Sequence, residues 1–341
     1  MNTPPNGVGI TSDNPQFSLS ISGAHPRHWE EAVKPDLESS AAINCTATAA
    51  MAKFIGAAVS DATRRAYRQD LADFLAWGGT VPSTPEILAA FIAERADTLS
   101  AHTLTRRVVG ISRAHVSLGY TDPAKNDLVR TVLRGVRRSK GTSQRQASPL
   151  LREDVFALLP NMRGVKGTRD RALLLLGFAA AFRRSELVAL NVEDLQSVPE
   201  GLVVHLRRSK TDQSGEGRKI GIPYGRTNAC PVKAVANWIA TAKVESGPIF
   251  RAVRKGGDIG AERLSAQAVN LILKSYVERI GLPATEYSGH SLRSGLVTSA
   301  ARAGVSSYKI RQQTGHRSDA MLARYIRDAD LFAGNAAGAL L

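Results

Sequence analysis

The chain opens without a pattern and then acquires one. From Met1 to about Thr46, Pro, Gly, Ser and Asn recur with no sustained apolar period, so residues 1–46 read as a mostly disordered arm. From Ala47 to Lys140 the spacing becomes helical. Tyr67, Leu71, Phe74 and Leu75 share one face of a helix that stops at Gly78. The P-S-T-P-E stretch, Pro82 to Glu86, starts a second helix carrying Ile87, Leu88, Phe91 and Ile92. Leu104, Val108 and Ile111 belong to a third. A fourth, Asp127 to Lys140, sets Val129, Val132, Leu133 and Val136 against a face of Arg130, Arg134, Arg137 and Arg138. Residues 47–140 therefore predict an all-helical domain.

Gly141 to Ser148 breaks the period and lacks large apolar residues, which predicts an exposed linker and a second domain from Pro149. Arg169 to Ala181 is apolar nearly all round and reads as a core helix, followed at once by F-R-R-S-E-L. Leu202–Leu206 and Lys219–Pro223 alternate as two strands of a hairpin with a long loop. Pro231 to Ala242 is amphipathic, with Val232, Val235, Trp238 and Ile239 inward. Ser265 can cap a helix with Val269, Leu273 and Tyr276 on its core face and Gln267 and Asn270 adjacent near its start. Ser288 to Gly304 holds another helix, with Leu292, Leu296, Val297 and Ala300 in register. Ser306 or Ser307 opens a short one ending at Gly315, and Ser318 with Asp319 caps one carrying Tyr325. The fold class is mainly α, with a small antiparallel β-sheet in the second domain.

Charge narrows the partners. The 341 residues carry 45 Lys and Arg against 30 Asp and Glu, a formal net charge of +15, which suits a polyanion. The distribution is more telling than the sum: from Leu128 to Gly141 no acidic residue offsets the arginines, so phosphates account for that helix face better than solvation alone. Arg106 and Arg107 on the third helix are further candidates for DNA contact. Gln267 and Asn270 are candidates for base reading, because amide side chains can bond adenine bidentately, although exposed polar residues need no such role. Cys45 and Cys230 lie far apart and outside any Cys/His cluster, which argues against structural zinc and disulfides and for a reducing, cytoplasmic setting. No apolar run reaches membrane-spanning length, and the amino terminus lacks a signal-peptide pattern.

The chemistry is concentrated between Ser288 and Tyr325. His290 and Arg293 stand at i and i+3 on one helix face and can hold one anion together. Two imidazoles, a guanidinium and a phenol in so short a span match the needs of phosphoryl transfer through a protein nucleophile. That reaction needs another arginine and a leaving-group acid. Arg183 and Arg184 end the core helix, where an unpaired guanidinium is costly; Glu186 would brace them at an anion site, or merely close the core as an ion pair. Lys210 lies near the start of the hairpin loop.

These motifs resemble those of the tyrosine recombinase (phage integrase) family, and the length and two-domain plan are similar to Cre-type recombinases. The resemblance rests on F-R-R-S-E-L at Phe182–Leu187, R-S-K-T at Arg208–Thr211, S-G-H-S-L-R at Ser288–Arg293, T-G-H at Thr314–His316 and R-Y-I-R at Arg324–Arg327, in the family's order and spacing. It implies that residues 47–140 are a core-binding domain that contacts DNA and that 149–327 are the catalytic domain. It makes Arg183 the first catalytic arginine, chosen over Arg184 because S-E-L begins two residues later, and Glu186 its support. Lys210 becomes the acid for the leaving 5′-hydroxyl, His290 and Arg293 the H-x-x-R pair, His316 the occupant of the His/Trp position and Tyr325 the nucleophile. The implied activity is site-specific recombination of double-stranded DNA at inverted-repeat sites, by a homotetramer working through a 3′-phosphotyrosyl link, with no metal, cofactor or ATP. A type IB-like topoisomerase and a DNA-binding protein without catalysis are the alternatives. The apolar tail, residues 328–341, is expected to dock on a neighbouring protomer.

Overall fold

The computed structural model describes residues 58–141, 146–207, 216–316 and positions 318, 322, 323 and 325. The expected amino-terminal arm, Cys45, Lys210 with the rest of its R-S-K-T motif, Arg324, Arg327 and the tail after Asp328 lie outside the described residues. The chain divides into two compact units, Met1–Gln144 and Arg145–Leu341.

The described part of the first unit contains four α-helices. They are α1 (Asp61–Ala76), α2 (Pro85–Arg95), α3 (Ala101–Ser117) and α4 (Asp127–Lys140). Each begins where a short polar side chain can take up an orphan N–H: Ser60 accepts from Thr63, Thr84 from Ile87, Ser100 from Thr103 and Asn126 from Leu128. Their apolar stripes meet in one core of Phe74, Leu88, Phe91, Ile92, Leu104, Val108, Ile111, Val129, Leu133 and Val136. Leu75 and Ile87 do not join it. Each is offset by about 100° from its fully buried neighbour, Phe74 or Leu88, and is left exposed.

The second unit is built on α6 (Gly164–Ala179), which follows the short α5 (Arg152–Leu158) and begins one turn before the apolar pattern suggests. Leu173, Leu174, Leu175 and Leu176 are all buried, so this helix has no solvent face along that stretch. Its two buried charges satisfy each other: Arg169 donates to Asp170 Oδ1 at 2.6 Å, and the Tyr276 hydroxyl donates to Asp170 Oδ2 at 3.0 Å. After α7 (Arg184–Ala189) comes an antiparallel sheet of three strands, β1 (Leu195–Val198), β2 (Gly201–Leu206) and β3 (Arg218–Pro223). The register sets Leu202 opposite Ile222 and Val204 opposite Ile220, so the alternating apolar positions face one core. The sequence pattern shows β2 and β3 but not β1, whose four residues include no fully buried position to mark a face.

The chain then forms α8 (Pro231–Ala242), the hairpin β4 (Arg251–Val253) and β5 (Ile259–Arg263), and α9 (Ala266–Arg279). It closes with α10 (Gly289–Arg302) and α11 (Ser307–Thr314). The expected helix bearing Tyr325 is described only at Leu322, Ala323 and Tyr325, all helical. Among the described residues no helix is long and apolar enough to cross a membrane.

One close approach ties the start of the second unit to α10. Leu150 N–H donates to Ser291 C=O at 3.0 Å, and the backbone at Leu150 lies so near Gly295 that a Cβ there would sit 1.8 Å from the Leu150 carbonyl oxygen. Gly295→Ala must therefore push this segment away. We expect a loss of about 1–3 kcal/mol, typical of overpacking a close-packed site, read as a lower midpoint in thermal or urea denaturation. An unchanged midpoint would mean the two backbones separate freely.

Candidate active site

The site begins where the buried helix α6 runs out. Ala181 takes a left-handed conformation (φ 51°) that a β-carbon makes unfavourable, and this reversal delivers the chain to Phe182, which is buried, and Arg183. Arg183 caps α7. Glu186, three residues on and 3% exposed, accepts from Arg183 N–H at 2.9 Å and from Arg183 Nη1 at 2.5 Å. One carboxylate thus fixes both the backbone and the guanidinium of Arg183, in the manner of a capping box. The R-S-E spacing is what permits it.

The second wall is the amino-terminal turn of α10. Ser288 Oγ accepts from His290 N–H at 3.2 Å, Ser291 Oγ accepts from Ser288 N–H at 3.0 Å, and Asn270 Oδ1 of α9 accepts from Gly289 N–H at 2.7 Å. The fit at Gly289 is tight, since a Cβ would meet that Asn270 oxygen at 3.0 Å and Arg184 Cβ at 3.2 Å. One turn on, Arg293 is only 2% exposed. Its Nη1 donates to the Ala181 carbonyl at 2.7 Å, while its Nη2 is buried and has no protein partner. Burial, then the nearby Arg183, lower its pKa to about 10, with Glu186 opposing, so the group stays charged at neutral pH.

Both imidazoles are pushed toward the neutral form. His316 is buried, with Nδ1 2.6 Å from Thr314 Oγ1, and burial, then Arg293 and Arg183, bring its pKa down to about 3. His290 keeps an exposed edge but is crowded by protein, and that desolvation, then Arg293 and Arg183, lower its pKa below the usual 6.5. His290 Nε2 lies 2.8 Å from the Tyr325 hydroxyl. The tyrosine is half-buried against Val297, Ile310 and Leu322. A neutral imidazole within hydrogen-bond reach of a phenol, beside guanidiniums, is the arrangement a tyrosine nucleophile requires.

The structure thus brings Arg183, Glu186, His290, Arg293, His316 and Tyr325 into one constellation. Other sequence candidates fall differently. Arg106 donates to Asp70 at 2.5 Å and Arg107 to Asp73 at 2.7 Å. Asp70 is fully buried and its charge is offset by Arg106, whose side chain is 41% exposed, while Arg107 pairs with the partly exposed Asp73. The Asn270 carbonyl accepts from Gly289 N–H, on the side of α9 that faces α10. Gln267 is exposed on the first turn of α9. Arg130, Arg134, Arg137 and Arg138 are exposed on α4, with Arg137 Nη2 donating to Thr105 Oγ1 at 3.2 Å. Sequence reasoning missed the Ala181 carbonyl and Thr314, of which only Thr314, two residues before His316, stood within a motif.

A mainly helical chain with two arginines, two imidazoles and a tyrosine so disposed holds the groups that strand transfer through a tyrosine needs. Residues 149–331 match the model of the Phage integrase family. The chain is 41% identical over 288 residues to the integrase/recombinase xerD homolog of Selenomonas ruminantium, covering 81% of this chain and 84% of that one. It is 27% identical to the recombinase cre of Escherichia phage P1, over 73% and 77% of the two chains. The fold is similar to that of the XerH site-specific recombinase bound to palindromic difH substrate in a post-cleavage complex, with a TM-score of 0.58, 15% identity and coverage of 90% and 91%. The chain belongs to the phage integrase family and is a site-specific tyrosine recombinase.

The depressed His316 pKa carries a stability consequence. In the unfolded chain the imidazole takes up a proton near pH 6.5, whereas in the folded chain it does so only near pH 3. Its contribution is therefore complete above pH 6.5 and is lost as the pH falls toward 3. The DNA-free protein should lose denaturation midpoint across this window, and His316→Gln should show a shallower loss. Parallel pH profiles for the two proteins would rule out a buried neutral His316.

Proposed function

We propose that Tyr325 attacks a DNA phosphodiester with His290 as its base. The observation that carries this is the 2.8 Å approach of His290 Nε2 to the Tyr325 hydroxyl beside Arg293, whose Nη2 has no protein partner. As the tyrosine oxygen bonds to phosphorus, its proton passes to His290 and the bond to the 5′-oxygen breaks. In the five-coordinate state, while both the entering and the leaving oxygen are bonded, the non-bridging oxygens carry about one extra negative charge. Arg293 Nη2 and the Arg183 guanidinium, steadied by Glu186, meet that charge. His316, neutral, donates from Nε2 if the Thr314 hydroxyl donates to Nδ1, which the 2.6 Å separation permits. Lys210 supplies the proton to the departing 5′-hydroxyl. The 3′-phosphotyrosyl link preserves the bond energy, so another strand's 5′-hydroxyl reseals it without ATP or a metal.

In this reading the first unit is the core-binding domain, with the exposed Arg130, Arg134, Arg137 and Arg138 on DNA phosphates and Gln267 of the second unit near bases. The sites are inverted repeats, each held by two protomers, with four protomers in the synapse. The palindromic substrate of the XerH complex supports such sites. The apolar residues Leu331, Phe332, Leu340 and Leu341 support docking of the tail on a neighbouring protomer. The setting is cytoplasmic, at the nucleoid.

Tyr325→Phe should retain site binding yet form no covalent adduct with a nicked suicide substrate on a denaturing gel; full adduct yield from this variant would refute the nucleophile. Lys210→Ala should cleave slowly and recover in part when the leaving oxygen is replaced by sulfur, which departs without a proton. No relative recovery would remove Lys210 as the acid. Removing Arg130, Arg134 or Arg137 should weaken binding to every sequence alike and flatten the salt dependence by roughly one unit of slope each; a change in sequence preference instead would reassign them to base reading.

A further inference from the structure

Arg218 opens β3, on the strand that follows the loop bearing Lys210, and nothing in the mechanism above uses it. Its guanidinium nonetheless lies at the back of the constellation. Nη1 donates to the Gln313 carbonyl at 2.8 Å, at the carboxyl end of α11. Its Cζ, Nε and Nη1 lie over Gly315, where a Cβ would come within 2.8, 3.0 and 3.0 Å of them. Gly315 is the left-handed cap (φ 69°) that ends α11 and turns the chain into His316. The Gln313 side chain completes the brace by donating to the Ala179 carbonyl at 2.9 Å, at the end of the buried helix α6.

The Arg218 guanidinium therefore joins the strand β3 to the turn that presents His316, and the Gln313 side chain ties that turn to the end of α6. Arg218 Nη2 is buried without a partner, a costly state for a guanidinium that serves only to cap a helix. Burial lowers its pKa, with the Glu186 carboxylate opposing and the Arg183 charge adding to the shift. A helix carboxyl end attracts a cation in any case. Flat contact with Gly315, directly before His316, is what makes this cation specific to the site.

We propose that Arg218 is a positioning residue for the strand-transfer reaction, holding the Gln313–Gly315 turn so that His316 faces the scissile phosphate. The proposal rests on the reading of the site given above. It requires glycine at 315 for two reasons at once, the left-handed turn and the room taken by the guanidinium. It also requires a planar group at 218, which lysine lacks.

The test is a double-mutant cycle on single-turnover cleavage of a nicked suicide substrate, with site binding and thermal melting measured alongside. Arg218→Gln should slow cleavage on the order of 10-fold or more when His316 is present, and by less than about 2-fold in a His316→Ala background, while site affinity stays level. Equal losses in both backgrounds, or no loss in the first, would overturn the proposal, since a general structural defect is additive with His316→Ala. Should Arg218→Gln fail to melt cooperatively, Arg218→Lys enters the same cycle with the same two outcomes. Wild-type protein that forms no adduct would instead sink the reading of the site itself.

Discussion

The second unit depends on how one buried cation is accommodated. Arg293 sits almost out of water with a single protein acceptor, the Ala181 carbonyl, and one nitrogen left over. A guanidinium in that state is unfavourable unless an anion completes it. The fold is arranged to tolerate the deficit until DNA arrives. Helix α6 ends in a left-handed alanine so that its carbonyl points at Arg293, α10 starts on a triple cap so that Arg293 enters at a fixed height, and Glu186 locks the neighbouring Arg183 in place. Removing any of these would leave the charge buried and less well supported.

The same crowding of cations sets the protonation of the histidines. Each imidazole lies among guanidiniums in a partly dry site, where a further positive charge is penalised. Neutral His290 can accept the Tyr325 proton, and neutral His316 can donate one hydrogen bond while adding no charge. In the proposed reaction the phosphate is met by permanent charge from arginine and by adjustable hydrogen bonds from histidine. Catalysis of this kind needs positioning more than strong acids or bases.

Much of this was legible in the residue order. The helical periods of the first unit, the hairpin strands and the caps at Ser265, Ser288 and Ser306 all follow from local rules, and the structure has them. The motifs around Arg183, His290, Arg293 and His316 mark residues that the structure brings together with Tyr325. What escaped the sequence was tertiary. Nothing in the order of residues says that Arg106 would pair with the buried Asp70 and Arg107 with Asp73, because both carboxylates lie on another helix. Nor does it say that the Asn270 carbonyl would take up the N–H of a glycine nineteen residues away. Arg218, one arginine among many in a basic chain, gains meaning only from Gly315.

The central claim is that Arg293 stays charged and under-satisfied in order to meet a phosphate oxygen. It is tested most directly by cleavage of paired substrates that carry either the natural phosphate or an uncharged methylphosphonate at the scissile position. The account predicts that Arg293→Ala loses cleavage of the phosphate but regains it, relative to wild type, on the methylphosphonate, where no negative charge awaits the missing guanidinium. An equal loss on both substrates would contradict it and reduce Arg293 to a support for the Ala181 turn.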